Sequence, residues 1–384
     1  MTRFSDTYAG RIVQWGLPSS HDDRRFAIRD VARSPHPVEL PAAEWPSEVA
    51  VGEHTVGRAR ISPVNLEDFL TRNGTTSFLV VQNGTLVYER YFDGAGTDVP
   101  HAAFSVTKSF LGALIGIALE RGLFESIHDP IVRYVSELET LGYARVRLEH
   151  LLSMSEGLRY SRLPVPWSGD ARAYYAPDRW AALLANSRLI HPPGRVWNYN
   201  DYAPTILGVA LQRVTGQNLT EFAKAALLDP LGMPHRAHWT LDSADAGLEN
   251  AAAGLYISSR TLAAFGQAHL DGGCVAGRQV IPSEWVKSAT TISPTDGREI
   301  RRAQAAFFSL KRVAYKYLWW VIERANAPSD FAAIGNLGQF VYCSPAAGTV
   351  VVRTGRKWGR FGRSNWLTLF ESMANADRLL PRTP

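Results

Sequence analysis

Two cysteines in 384 residues, Cys274 and Cys343, are too few for a disulfide-stapled scaffold and suit a reducing compartment. They cannot form a multi-ligand metal site alone, and no His, Asp, Glu or Cys cluster elsewhere has ligand spacing, so neither metal nor cofactor is expected. Long apolar runs are also missing. The longest, "FLGALIGIALE", is too short to span a bilayer, and "MTRFSDTYAGRIVQWGLPSS" at the start lacks the basic and apolar segments of a secretory signal. These absences point to a cytoplasmic protein without a membrane partner. Lysine is the last scarcity: only six of the 41 basic residues are lysine, the rest being arginine.

What is present suffices for one large core or two adjoining ones, at 46% hydrophobic and 11% aromatic content. The net charge of +5 and pI of about 9.2 raise the question of nucleic acid. The only dense basic cluster is "RTGRKWGRFGR" at 353–363, and no nucleic-acid motif stands beside it. It reads as a solvated face that could attract an anionic substrate, and no nucleic-acid partner is expected. The sequence leaves the oligomeric state unknown.

The first 60 residues, rich in proline and charge, read as an extension packed around a core. Regular structure begins with "TSFLVVQNGTLVYERYF", two β-branched and aromatic runs joined by Asn83-Gly84, the dipeptide of a tight type I′ hairpin. A helix over "FSVTKSFLGALIGIALE" follows, then an apolar-periodic segment, "LEHLLSMSEGLRY", that ends near Gly157. Residues 161–200, heavy in Pro, Trp and Tyr, read as structured loops of the kind that line sites. Helical periodicity returns in "APTILGVALQRVTG", "NLTEFAKAALLDPLG" and "SSRTLAAFGQAHLDGG". "GNLGQFVYCSP" and "GTVVVRTG" predict a second hairpin, and "NWLTLFESMANADRLL" a closing helix. Strands at both ends with helices between imply an α+β fold. The expected division is a sheet domain from 1–100 and 245–384, a mainly helical domain from 101–244, and a site between them.

Lysine can lose its proton when desolvated or crowded by charge, whereas arginine does not. Lys108 is therefore the chemically suggestive cation, set into an apolar helix three residues after Ser105. Residues three apart share a helix face, which brings hydroxyl and amine within hydrogen-bond reach. The helix start also offers free N–H groups and partial positive charge to an anion developing on a carbonyl oxygen. A serine three before a lysine is common by chance; this is the only such pair in the chain, and it stands in an otherwise apolar helix.

Together, "FSVTKSF", "RLEHLLSMSEGL", "PPGRVWNYNDYAPTILGVALQRVTG", "SSRTLAAFGQAHLDGG" with "IPSEWV", and "GNLGQFVYCSP" resemble the serine hydrolases of the β-lactamase and penicillin-binding-protein fold. The likeness is to class C β-lactamases, their carboxylesterase relatives and the 6-aminohexanoate-dimer hydrolases, and it covers most of the chain. It implies the β-lactamase/transpeptidase-like fold, an antiparallel sheet built from both termini with an inserted helical region. It also implies Ser105 as nucleophile, Lys108 and Tyr199 as the groups that take and return its proton, and the backbone N–H groups of Ser105 and Gln339 as an oxyanion hole. A tyrosine becomes a usable base only beside positive charge, which Lys108 would supply.

Two departures matter. The usual Tyr-x-Asn reads Tyr199-Asn200-Asp201 here, and an ionised Asp201 near Lys108 would favour the ammonium and shift the base role onto Tyr199; Asp201 could equally point away. The strand motif, Lys-Thr-Gly in lactamases, reads Asn336-Leu337-Gly338, which removes the usual partner of a β-lactam carboxylate. Of the remaining residues, His150 reads as packed or capping and His101 as satisfying a turn. Trp167, Tyr174 and Tyr175 lie in the stretch expected to cover the site, where Asp170 could meet a substrate amine. The readings to separate are an amide hydrolase of the 6-aminohexanoate-dimer type, a small-ester carboxylesterase, and a non-catalytic binding or sensor protein on the same fold.

Overall fold

The computed structural model describes residues 6–43, 53–56, 59–244, 247–292, 298–308 and 313–375. Its main sheet has seven strands: β1 (Thr75–Gln82), β2 (Thr85–Tyr91), β3 (Val313–Lys316), β4 (Trp319–Ile322), β5 (Asp330–Gly335), β6 (Gln339–Ser344) and β7 (Thr349–Gly355). Their order is β3-β4-β5-β6-β7-β1-β2, and every neighbouring pair is antiparallel. The sheet is thus closed from both ends of the chain, as the α+β reading expects. Asn83 and Gly84 turn between β1 and β2 with φ of 49° and 78°, the two positive values a type I′ turn needs.

Central strands buried on both faces need cover on both faces, and two helices supply it. Gly266 of α3 (Ser259–Leu270) lies against Val341, Cys343 and Val350, so close that a Cβ there would stand 2.6 Å from Val350. The alternate residues Phe340 and Tyr342 meet Phe370 of α4 (Arg363–Ala374), with ring centroids 5.2 and 5.9 Å apart. The predicted closing helix therefore starts at Arg363 and is described to Ala374; its expected end at 376–380 lies outside the described residues.

The helical region is built around α1 (Val106–Glu120), in which thirteen consecutive residues, Val106 to Ala118, are buried. A helix apolar on every side has to run through a core rather than along a surface. Two glycines make that fit. A Cβ on Gly112 would meet the Tyr317 carbonyl at 2.8 Å, and one on Gly116 would meet the Trp285 ring at 2.4 Å. Phe110 stacks on Phe265 of α3 at 3.8 Å, which ties α1 to the sheet side, while α2 (Tyr202–Thr215) packs on its other flank.

Several expectations change. The "LEHLL" helix covers only Leu148–Leu152, because Met154 turns the chain at φ 52° and Gly157 presses its backbone against His191. Strands β3, β4 and β5 do not show in the sequence pattern, and the second hairpin, β6 and β7, is the end of a five-stranded meander. His101 does not sit in a turn. With Ala102 it forms a short strand that pairs with Tyr256 and Ile257, in a four-stranded sheet that also holds Ile28–Val31 and Ala237–Thr240. That sheet draws on both expected domains. The boundary placed at 244 and 245 meets residues 245–246, which lie outside the described set.

Candidate active site

Ser105 is the N-cap of α1, placed there by an unusual residue before it. Phe104 has φ of 44°, a left-handed conformation that a bulky side chain rarely adopts and that persists only where its surroundings impose it. Those surroundings are visible. The Ala103 N–H donates to the Leu255 carbonyl at 2.8 Å, and the Ala103 carbonyl accepts from Val106 at 3.1 Å. The chain thus changes from strand to helix within three residues, leaving Ser105 on the wall of a cavity of about 620 Å³.

Lys108, one turn on, has no exposed surface, and all three ammonium donors have acceptors. They reach Ser105 Oγ at 2.8 Å, the Ala252 carbonyl at 3.0 Å and Asp201 Oδ1 at 2.8 Å. Asp201 therefore points inward, which settles the alternative that the sequence left open. Burial alone would push the Lys108 pKa down, but the charges of Asp201 and Tyr199 and the hydrogen bonds that the ammonium donates to both outweigh it and hold the pKa above its ordinary value. The group is an ammonium, donating to the serine oxygen.

Tyr199 is the neighbour that remains. Its ring lies 5.1 Å from Lys108 Nζ and is held among Phe307, Tyr315 and Trp320, with centroids 5.5 to 5.8 Å away. Beneath it, Asn200 donates to Glu156 Oε1 at 2.6 Å and accepts from the Ala203 N–H at 2.7 Å, fixing the turn that carries Tyr199 and Asp201 into α2. Burial pushes the Glu156 carboxyl up to about 7. Sequence reasoning missed Glu156, whose only signal was an acid inside an apolar segment.

Of the loop residues, Tyr174, Tyr175 and Asp170 line the cavity, while Trp167 does not and is 70% exposed. Both tyrosines use their hydroxyls on the N-terminal extension: Tyr175 donates to the Gly16 carbonyl at 2.5 Å and Tyr174 to Asp22 at 2.7 Å. The extension itself reaches the site through Ile12, Gly16, Leu17 and Pro18, so its role is more than packing. Asp170 pairs with Arg162 at 3.4 Å; burial and then the charge of Asp201 raise its carboxyl to about 6.

Gln339 stands apart from the cavity. It opens β6 opposite Gly335, and its side chain closes the hairpin by bonding to Gly355 and the Asn336 carbonyl. The part of this hairpin that lines the cavity is Ile334, Gly335 and Asn336. Gly335 is pressed against the backbone just before Ser105, where a Cβ would stand 2.4 Å from the Ala103 carbonyl. The backbone N–H of Gln339, expected as the second oxyanion donor, follows directly on the Asn336–Gly338 turn at the start of β6. Asn336 itself is exposed, in a turn with Leu337 at φ 59°, not on a strand. His150 accepts the Arg147 N–H at 3.0 Å, a capping contact as expected, and burial lowers the His101 ring to about 4. Within the basic cluster, Arg353 is buried and Arg363 lines the cavity.

A serine and a buried ammonium one helical turn apart, facing a tyrosine between a helical region and an antiparallel sheet, define the class of β-lactamase-like serine hydrolase folds. The family model described as beta-lactamase matches residues 66–371, and the chain belongs to that family. It is 25% identical over 300 residues to a 6-aminohexanoate-dimer hydrolase of Paenarthrobacter ureafaciens, covering 75% of this chain and 74% of that protein. It is 29% identical over 143 residues to the esterase EstB of Burkholderia gladioli, covering 34% and 36%. Among solved structures, a Bacillus anthracis protein described as a candidate 6-aminohexanoate-dimer hydrolase superposes with a TM-score of 0.77 at 24% identity, over 94% of this chain and 92% of that one. Among the described residues, no helix is long and apolar enough to cross a membrane.

Proposed function

We propose that the protein hydrolyses a linear amide, of the kind cleaved by the 6-aminohexanoate-dimer hydrolases, through an acyl-enzyme on Ser105. The observation that carries this is the Lys108 ammonium, buried, fully partnered and 2.8 Å from Ser105 Oγ. Ser105 Oγ attacks the carbonyl carbon, and Tyr199 relays the hydroxyl proton to the leaving nitrogen as the C–N bond breaks. Lys108 compensates the charge that develops on the Tyr199 oxygen during the transfer, and Asp201 keeps Lys108 in the charged form that this requires. The carbonyl oxygen, negative in the transition state, is met by the Ser105 N–H at the start of α1. Water then attacks the acyl group, returns a proton to Ser105 along the same route and releases the acid.

Hydrolysis of small carboxylic esters uses the same steps with an alkoxide leaving group, and the match to an esterase supports it as the second reading. Turnover of p-nitrophenyl acetate and of the 6-aminohexanoate linear dimer, with intact-protein mass, tests both in wild type beside Ser105→Ala. Wild type is expected to gain a transient acyl mass and to exceed Ser105→Ala by at least about a thousandfold. Equal behaviour of the two proteins would refute catalysis at Ser105 and favour a binding or sensor role. With neutral Asn336 in place of the strand cation, benzylpenicillin should be turned over poorly; efficient hydrolysis would overturn that point.

A further inference from the structure

Glu156 stands behind the site rather than in it: it is 1% exposed and does not line the cavity. The segment that carries it, residues 154–157, is laced by backbone bonds to the segment that carries Tyr199. The Asn198 N–H donates to the Met154 carbonyl at 3.0 Å, the Gly194 N–H to the Ser155 carbonyl at 2.7 Å and the Ile190 N–H to the Gly157 carbonyl at 2.9 Å. Those links do not titrate, but a side-chain link between the same segments does. Asn200, set between Tyr199 and Asp201, gives an amide hydrogen to Glu156 Oε1 at 2.6 Å, another to the Asn198 carbonyl at 2.9 Å, and accepts from the Ala203 N–H in the first turn of α2. Among the described residues, Glu156 Oε2 has no partner. The other groups that bear on the carboxyl are its own backbone N–H and the Tyr143 phenol, which is bonded to Ser187 and kept neutral by burial, with the Tyr202 phenol of α2 beyond it. No cation among the described residues acts on it.

We propose that Glu156 is a positioning residue for the chemistry at Ser105: as a neutral acid it anchors Asn200, and with it the turn that bears Tyr199 and Asp201, and its ionisation releases that anchor. The reason lies in what each form requires. A neutral carboxyl needs little beyond the Asn200 hydrogen that it already accepts. A carboxylate in a dry interior needs several donors or a counter-charge, and only Asn200 and the residue's own N–H are at hand. Water or a new donor reaches the second oxygen only if residues 154–157 and the Tyr199 turn part. That turn holds the tyrosine that relays the proton and the aspartate that pairs with Lys108, so a small displacement is felt in the chemical step more than in substrate binding. Burial places the change near neutrality, since it pushes the carboxyl up to about 7. The role deepens the amide-hydrolase reading and rests on it for the parts played by Ser105 and Tyr199.

The test is kcat and KM for p-nitrophenyl acetate from about pH 5 to 9, in wild type beside Glu156→Gln, whose amide keeps an oxygen for Asn200 and cannot ionise. Taking the ratio of the two kcat values at each pH cancels the titrations that both proteins share. The ratio of wild type to variant should fall about tenfold across the range, centred near pH 7, with the far-UV circular dichroism unchanged and no matching trend in KM. A ratio that stays level, or one that falls only as the far-UV signal is lost, overturns the proposal, because a purely structural glutamate would not change kcat with pH in a folded protein. Near-UV circular dichroism separates this claim from the hydrolase reading, since Trp197 lies 6.3 Å from Tyr199 and reports on that ring without turnover. In Ser105→Ala the near-UV signal should change between the two ends of the pH range, and with Glu156→Gln added it should not. If no protein turns over the ester but this difference holds, the hydrolase reading fails and the positioning by Glu156 stands. If wild type turns over the ester and the ratio is level, the hydrolase reading stands and the positioning role falls.

Discussion

The two ends of the cavity are built on opposite plans. At the Ser105 end every proton of the buried Lys108 has an acceptor, and Asp201, Tyr199, Asn200 and Glu156 form one connected set. At Arg363 the cation rests on rings instead, and elsewhere on the cavity wall apolar side chains stand in solvent, Leu17 at 78% and Leu163 at 64% exposure. A buried polar group left unpaired costs stability wherever it stands, so the three acceptors around Lys108 are what allow its ammonium to be buried. Among the described residues the Arg363 guanidinium has no such acceptor and lies against ring faces instead.

The strongest way to break this contrast is Lys108→Met, which strips the Ser105 end of its centre and leaves Asp201 without a counter-charge. It should abolish ester turnover to about the level of Ser105→Ala and cost about 3–5 kcal/mol in urea denaturation. Next is Glu156→Gln. The folded carboxyl is raised to about 7 from an ordinary 4.5, so the folded state holds a proton that the unfolded chain has released. Stability from this group is present below the ordinary value and is lost as pH rises to about 7. On the order of 3 kcal/mol is involved. The amide keeps an oxygen for Asn200, so Glu156→Gln should be more stable than wild type at pH 8 and similar at pH 4, as read by denaturation at both.

Asp201→Asn sharpens the comparison by weakening one partner rather than removing the centre. Lys108 is held above its ordinary 10.5, so its contribution is complete below that value and disappears as pH rises through the folded one. Without the Asp201 charge, burial is less opposed and the folded value falls. The alkaline loss of stability and activity should therefore begin at lower pH in Asp201→Asn, as measured by kcat/KM and denaturation from pH 8 to 11. The smallest effect is expected from Tyr175→Phe, which releases only the bond to the Gly16 carbonyl and should cost about 1 kcal/mol. Because that bond ties the N-terminal segment to the cavity wall, KM should respond more than kcat.

Local patterns were legible where residue type and spacing carry the physics. Asn83-Gly84 announces its hairpin because few other dipeptides take two positive φ values cheaply, and the apolar run of α1 announces a buried helix that contains Ser105 and Lys108. The turn between β3 and β4 has the same two-residue form but is made by Tyr317 and Leu318, at φ 44° and 70°, which no propensity would suggest. It is held from outside, by Ser109 donating to the Leu318 carbonyl at 2.8 Å and by the Leu318 N–H bonding to Leu152 at 3.0 Å. The β5–β6 hairpin is placed for a related reason: it meets the backbone before Ser105 where Gly335 packs against Ala103, a contact between distant parts of the chain. The sequence alone determined the helix, its serine and lysine one turn apart, the tyrosine, and the α+β order of elements, since these follow from neighbours in the chain. Only the tertiary structure decided that Asp201 turns inward to pair with Lys108, that the N-terminal segment walls the cavity, and that Arg363 enters it with no acidic partner among the described residues. Charge, burial and strain at those positions are set by residues up to hundreds of places away, and proximity of that kind has no periodicity to read.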